Sequence, residues 1–245
     1  MAPTAKRKWK PTHSQVVGVA ASLPGLILLA RGRALPGIAQ YVLAHTAISG
    51  AVVAIASTRA FCKATTQLFG KSKAGRLSLL ALGLFLPFQA AIRAKLWYRR
   101  RVGTEPLYSH VVDKLYIGGW PNEVESLPDR QAAVVDCTCE LPRRHPNPYL
   151  CVATWDTHSP SLEGYEQGVK FALQQKEEGK PILVHCAHGH GRSAAMLCAI
   201  LISLGKASSI DEALAMIKKE RPRVGLNKNQ REGLTCWYDQ KHKTL

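Results

Sequence analysis

The chain has 245 residues and a formal net charge of +16. Residues 1–101 hold sixteen Lys and Arg residues and no Asp or Glu, whereas residues 102–245 hold seventeen basic and seventeen acidic residues. The basic side chains flank apolar runs and form no polar patch with interleaved aromatics, which argues against a nucleic-acid partner. The seven cysteines lack the spacing of a zinc site or a disulfide framework, and they fit a reducing compartment.

Three apolar runs occupy the first part of the chain, at about 16–30, 34–57 and 77–92. A membrane-spanning helix needs about 20 apolar residues. The second run meets this length, while the first and third, interrupted by Pro24 and Pro87, need flanking side chains that reach the interface. We therefore predict a basic membrane-anchoring region over 1–101 with two or three hydrophobic helices.

Two alternatives to a membrane region remain open. Core helices of a soluble domain would be expected to show a polar face, which these runs lack. An organelle-targeting presequence would suit the absence of acidic residues, but 101 residues with three separate runs are long for one.

The basic clusters predict an orientation, because positive clusters tend to stay on the cytosolic side. The larger ones are Lys6 to Lys10, residues 58–76 and Arg93 to Arg101. A hairpin of the first two runs, with the third lying in or re-entering the interface, keeps all three on one side. This predicts a multi-pass protein with membrane lipids as partners and a cytosolic C-terminal part, while the number of spans and the organelle stay open.

Residues 102–245 alternate between strand and helix patterns. The predicted strands cover 111–120, 132–139, 149–153 and 181–184, with Cys137 and Cys139 on one face of the second. The predicted helices cover 162–178, capped by Ser161, then a stretch from 192 that ends at Gly205, then 210–222, which opens with a capping box at Ser209, and finally 229–238. This alternation predicts an α/β fold in which helices flank a central sheet.

The chemistry concentrates in residues 184–193, VHCAHGHGRS. A strand, a glycine-containing loop and a helix follow one another here, so backbone N–H groups and the helix N-terminus can hold an anion, above all a phosphate. Cys186 stands at the mouth of this loop as a candidate nucleophile, and Arg192 can fork two phosphate oxygens. The candidate substrate-binding residues are Ala187, His188, Gly189, His190, Gly191 and Arg192.

The run His185-Cys186-x-x-Gly189-x-x-Arg192-Ser193 resembles the signature of the cysteine-dependent tyrosine and dual-specificity phosphatases. The resemblance covers roughly 105–240. It includes residues 115–119, which look like the opening strand of dual-specificity domains, and 221–230, which look like the segment that ends them. It implies a phosphotyrosine-phosphatase-like fold for 102–245.

The resemblance also implies roles for individual residues. Cys186 attacks phosphorus and forms a phosphocysteine, Arg192 and the loop amides stabilise the charge, and Ser193 eases departure of the sulfur. Asp156, thirty residues before Cys186, is the candidate general acid, with Asp136 as the fallback. His185 braces the loop. No metal or cofactor is implied.

The loop departs from many dual-specificity enzymes at His188 and Gly191, and it lacks the Lys or Arg that lipid-directed relatives often place there. The substrate therefore stays open between phosphotyrosine and phosphoserine/threonine of proteins, the leading hypothesis, and a phosphoinositide or other phospholipid head group. A third hypothesis is an inactive phospho-binding scaffold tethered to a membrane.

Overall fold

The structure is a computed structural model that describes residues 12–243. Two long helices open this part of the chain. The basic cluster Lys6 to Lys10 lies outside the described residues. Helix α1 (His13–Arg31) and helix α2 (Gly37–Ala56) form an antiparallel hairpin. Small residues let the helices approach closely, since a Cβ on Gly50 would lie 2.5 Å from the Cβ of Ala21.

Both hairpin helices are long and apolar enough to cross a membrane, and only 11% and 17% of their apolar windows are buried. Leu23, Leu29 and Ile38 are among the large side chains that they expose. A core helix of a soluble domain would bury most of this surface. The exposure therefore favours membrane association over the soluble-core alternative.

The third apolar run forms two helices rather than the one predicted over 77–92. Helix α3 (Leu79–Leu84) ends at Phe85, and helix α4 (Leu86–Val102) begins with proline in its first turn, where the missing N–H costs nothing. The ring Nε2 of His45 lies 2.8 Å from the carbonyl oxygen of Leu84, so the junction of α3 and α4 contacts the middle of α2.

A five-stranded sheet carries the rest of the chain, in the order β1-β2-β5-β3-β4. Its strands are β1 (Tyr108–Val112), β2 (Leu115–Gly118), β3 (Ala133–Asp136), β4 (Tyr149–Cys151) and β5 (Ile182–His185). Strand β1 is antiparallel to β2, and the other neighbours are parallel. The carboxyl ends of β2, β3 and β5 therefore meet at one edge, with β5 in the centre.

Two strand predictions need correction. The predicted strand 111–120 is the β1–β2 hairpin, because Asp113 adopts a left-handed conformation, φ 51°, and reverses the chain. Strand β3 ends at Asp136, so Cys137 and Cys139 lie beyond it, although both are fully buried. Both thiols lie in the interior, while their predicted placement on a strand is wrong.

Four helices flank the sheet: α5 (Leu162–Glu177), α6 (Arg192–Ser203), α7 (Ile210–Glu220) and α8 (Lys228–Lys243). Ser161 and Ser209 cap α5 and α7 as predicted, each accepting a backbone N–H three residues on. Ten of the twelve residues of α6 are buried, and this helix forms the centre of the core. The predicted α/β fold with flanking helices is confirmed.

The N-terminal region shares a core with the sheet domain. Val53, Phe69 and Phe85 form one apolar cluster with Cys139 and Trp155. A polar link is also present, because the Lys71 Nζ donates to Asp136 Oδ2 at 2.7 Å, with both side chains almost completely buried. Contacts thus cross the predicted domain boundary at 101/102, and the segment after α2 packs as part of the sheet domain.

We expect Lys71→Met to destabilise the full-length protein by about 3–5 kcal/mol, since removing one partner of a buried ion pair leaves the other charge uncompensated. Chemical unfolding in detergent micelles measures this loss. Lys73→Met, at an exposed position two residues away, is the matched control and should leave stability unchanged. Equal stability of the two variants would contradict a structural role for Lys71.

Candidate active site

The loop 186–191 joins β5 to α6 and surrounds the sulfur of Cys186. The Gly189 N–H donates to Cys186 Sγ at 3.3 Å, and the Ser193 Oγ lies 3.4 Å from the same sulfur. Gly189 has φ +76°, and a Cβ there would approach the Gly118 carbonyl carbon to 2.5 Å. Glycine is therefore required for the loop to pass β2 and present its amide to the thiol.

Arg192 lies in the first turn of α6 and is 1% exposed. Its guanidinium forks Glu140, with Nη2 to Oε1 at 2.8 Å and Nη1 to Oε2 at 3.0 Å, and Nη1 also donates to the carbonyl oxygen of Thr154. Its Nε is buried and makes no hydrogen bond within residues 12–243. That donor remains for an anion in the loop.

Asp156 reaches this anion site from the loop after β4. Its Oδ1 lies 3.4 Å from Arg192 Nε, and its side chain is 41% exposed. Burial raises the pKa of Asp156, but the Arg192 guanidinium outweighs it and lowers the pKa to about 2. The carboxyl group is therefore ionised while the anion site holds no phosphate. The next residue, Thr157, has φ 65°, so the backbone adopts a left-handed conformation directly after Asp156.

Asp136, the fallback acid, is a buried anchor below the loop. Its carboxylate accepts hydrogen bonds from Lys71, from Tyr149 Oη at 2.8 Å and from the Thr138 amide at 2.8 Å. Burial raises its pKa, but Lys71 holds that pKa well below its ordinary value. Because Asp136 lies 3.7 Å from His185 Nε2 and His185 precedes Cys186, the network supports the loop from beneath.

Arg221 braces the outer side of the loop. Its Nε donates to the Gly189 carbonyl oxygen at 3.0 Å and its Nη2 to the His188 carbonyl oxygen at 3.1 Å. With these carbonyls turned outward, the loop amides remain available on the inner side. Glu105 lies 3.4 Å from Arg221 and 2.7 Å from His190 Nε2, so it joins both to one ionic cluster.

Gly191 is covered by a side chain from α8. A Cβ at Gly191 would lie 2.5 Å from Gln230 Nε2, and Gln230 is almost fully buried. The backbone and side chains of Asn227 and Gln230 hydrogen-bond each other reciprocally. The segment resembling the end of a dual-specificity domain thus closes over the loop.

Two cavities meet at Ala187 and His188. The first, about 550 Å³, lies between the end of α4, the loop and the segment after α7. The second, about 300 Å³, lies between α1, α2 and α4 and reaches Asp156. Burial lowers the pKa of His188 to about 3, and the charges of Arg99 and Lys95 act in the same direction, so this ring is neutral at physiological pH.

The predicted loop residues, Asp156 and His185 come together at one site, but their catalytic roles remain predictions. Sequence reasoning missed Lys71, Glu105, Glu140 and Arg221, which support the site from distant positions. Arg221 opens the segment already recognised by resemblance, and that was the one available signal. Within residues 12–243, no group of three or more His, Cys, Asp or Glu side chains could hold a metal ion.

The family profile described as dual specificity phosphatase, catalytic domain, matches residues 115–240. The human phosphatidylglycerophosphatase and protein-tyrosine phosphatase 1 is 36% identical over 84 residues, which cover 34% of this chain and 41% of that protein. The zebrafish dual specificity protein phosphatase 22-B is 33% identical over 75 residues, or 30% of this chain and 40% of that protein. The matches thus span about two fifths of each relative.

Solved structures agree on the fold. The crystal structure of human DUSP28 superposes with a TM-score of 0.50 at 21% identity, covering 57% of this chain and 97% of that one. At this identity the likeness concerns the fold alone. The family profile covers more than half of the chain, and the residues that surround Cys186 lie within it. The chain belongs to the dual specificity phosphatase family.

Proposed function

We propose that this protein is a membrane-anchored, cysteine-dependent phosphatase that removes a phosphomonoester from the head group of a membrane lipid. The observation that carries the lipid assignment is the 300 Å³ cavity, which is built by the three helices α1, α2 and α4 and ends at Asp156, Ala187 and His188. Its size lies at the lower end of the range for small-molecule sites, about 300–1,000 Å³.

The geometry supports a two-step reaction. Cys186 Sγ attacks phosphorus, an S–P bond forms, and the bond to the leaving oxygen breaks as Asp156 gives that oxygen a proton. Water then attacks phosphorus, Asp156 takes a proton from it, and the S–P bond breaks to release phosphate. Arg192 Nε and the loop amides hold the phosphoryl oxygens, while Ser193 stabilises the departing sulfur.

Protonation of Asp156 is coupled to substrate binding. In the free site Arg192 keeps this carboxyl ionised. A phosphate dianion accepts a hydrogen bond from Arg192 Nε and brings negative charge close to Asp156. Both effects raise the pKa of the Asp156 carboxyl. The acid therefore gains its proton when there is a leaving group to receive it.

The lining of the 300 Å³ cavity is mostly apolar, as the acyl chain of an acyl glycerol requires. Val16, Ala20 and Phe88 are among its apolar residues, and among the lining residues within 12–243 Lys95 is the only lysine or arginine. A tail that enters between the helices leaves the head group beside His188 and Asp156. The name of the human relative, phosphatidylglycerophosphatase and protein-tyrosine phosphatase 1, covers both a lipid and a protein substrate, and this cavity favours the lipid class for this chain.

The proposal includes a topology. Helices α1 and α2 form a hairpin whose open end lies at the sheet domain, since His13 lies 3.9 Å from Asp156 and the carbonyl of Ser57 lies 2.9 Å from His158 Nε2. The α3–α4 pair re-enters the same side. Residues 58–76 and 93–101 then share the cytosolic side with the site, in keeping with their positive charge.

In sealed vesicles with the cytosolic face outward, protease should remove the C-terminal domain and leave a protected fragment that contains α1 and α2. Mass spectrometry of the protected peptides reads this out. Protection of the C-terminal domain would show that the orientation is opposite to the one proposed.

We expect Asp156→Ala to lower kcat by about 10²–10⁴-fold for an alkyl phosphate, the range for loss of a general acid. The loss should be smaller for nitrophenyl phosphate, whose leaving oxygen needs less protonation. Steady-state assays of both substrates give the comparison, with exposed Asp239→Ala as the matched control and Cys186→Ser as the zero-turnover reference. Equal, small losses on both substrates would mean that another residue is the acid.

We expect Ala91→Trp, which fills the apolar cavity, to lower the ratio of kcat/KM for a long-chain phospholipid monoester to that for nitrophenyl phosphate by at least about tenfold, since one bulky side chain displaces buried apolar contacts. Ala90→Trp, next to it but outside the cavity, should keep the wild-type ratio.

The same assay with phosphotyrosine and phosphoserine peptides separates the alternatives. Efficient turnover of peptides, with lipid turnover absent, would establish a protein phosphatase. Tight binding of both substrate classes without turnover of any phosphate would indicate a scaffold.

A further inference from the structure

We propose that the 550 Å³ cavity beside the catalytic loop binds a second phosphate group of the substrate, so that the preferred head group carries two phosphomonoesters. The inference rests on the proposed phosphatase function and specifies its substrate class. The cavity is lined by loop residues Ala187, His188 and His190, by Arg99 and Arg100 at the end of α4, and by Arg221 and Arg223 after α7.

The lining carries a strong excess of positive charge. Four guanidinium groups face one carboxylate, Glu105, and that carboxylate is already shared between Arg221 and His190. Guanidinium groups bind phosphate through paired N–H donors. A cavity with this composition favours a multiply charged anion.

Two of the four arginines are occupied and two are not. Arg221 donates to backbone carbonyls of the loop, and Arg100 donates to the Trp120 carbonyl and to Asn122. Arg99 and Arg223 are exposed, and in the part of the chain that the structure describes neither side chain makes a hydrogen bond or an ion pair. Their donors are available to a ligand.

The pKa shifts of two neighbouring side chains, His188 and Arg221, agree with an excess of positive charge in this cavity. Burial lowers the pKa of His188 most, and the charge of Arg99 lowers it further. Burial likewise lowers the pKa of Arg221, with Arg223 adding to the effect. An anion between Arg99 and Arg223 would be attracted by both guanidinium charges.

The two cavities meet at the loop around Cys186, because Ala187 and His188 line both. A lipid whose tail occupies the apolar cavity and whose scissile phosphate lies over Cys186 has its head group facing the basic cavity. A second phosphomonoester on a neighbouring head-group carbon then comes within reach of Arg99 and Arg223.

The test compares one head group with one or two phosphates. Full-length protein in nanodiscs is assayed on diacyl lipids whose inositol ring carries one phosphomonoester or two vicinal ones, and on the corresponding soluble inositol phosphates. The wild-type protein should show kcat/KM at least about tenfold higher for the two-phosphate form, the contribution of one or more charge-assisted hydrogen bonds. The double variant Arg99→Gln with Arg223→Gln should bring this ratio close to one.

Arg101→Gln is the matched control, since this exposed arginine lies on the same helix but outside the cavity and should keep the wild-type ratio. A preference that the double variant does not change, or no preference in the wild type, would overturn the proposal. A general loss of turnover with an unchanged ratio would do so too, because it would assign the two arginines to the membrane surface.

Two further arms separate this inference from the proposed function. Preference among the soluble compounds, with no turnover of the lipids, would support the subsite and contradict the lipid assignment. Calorimetry with Cys186→Ser protein and the soluble two-phosphate compound reads binding without turnover. Loss of that binding in the Arg99→Gln, Arg223→Gln background supports the subsite even where no phosphate is released, and unchanged binding overturns it.

Discussion

A buried ion pair between Lys71 and Asp136 joins the N-terminal region to the sheet edge that carries the loop around Cys186. The lysine donates to Asp136 Oδ2 and to the Thr138 carbonyl, both at 2.7 Å, and Asp136 lies 3.7 Å from the ring of His185. Isolated charges are costly in a protein interior, so each partner requires the other. The position of the loop therefore depends on a residue that belongs to the N-terminal region of the chain.

This dependence shows that the N-terminal region is part of the structure around the site. A flexible anchor would hold a catalytic domain near lipid without shaping its site. Here Trp155, one residue before Asp156, packs with Phe69 and Phe85. Asp156 itself lines a cavity that is formed mostly by three helices of the N-terminal region. Under the proposed function, these helices anchor the protein, position Asp156 and bound the substrate. Residues 102–245, which hold the loop around Cys186, carry no net charge.

Local features were predictable from the sequence, and distant ones were not. The strand, loop and helix around Cys186 and Arg192 are contiguous, so their spacing alone predicted an anion site, and the caps at Ser161 and Ser209 act within three residues. The hairpin at Asp113 was missed, although the charged pair Asp113-Lys114 interrupts the apolar pattern where the chain reverses. These errors did not affect the site.

The supporting residues of the site come from far along the chain. Lys71 and Asp136 are 65 residues apart, and Arg192 and Glu140 are 52 apart. No periodicity or motif in a single sequence pairs such residues, because the sheet order β2-β5-β3 and the packing of residues 58–76 decide which side chains meet. The two cavities were unpredictable for the same reason, since each is lined by at least three separate segments.

The central claim is that Cys186 forms a covalent phosphoenzyme with a phosphate that a membrane lipid supplies. The most direct measurement is mass spectrometry of full-length protein in nanodiscs, acid-quenched within milliseconds of mixing with a phospholipid monoester. The account predicts one added phosphoryl group, located on the peptide that contains Cys186, which appears before free phosphate and disappears at the rate of turnover. Phosphate release without that adduct, or an adduct on another residue, would contradict it.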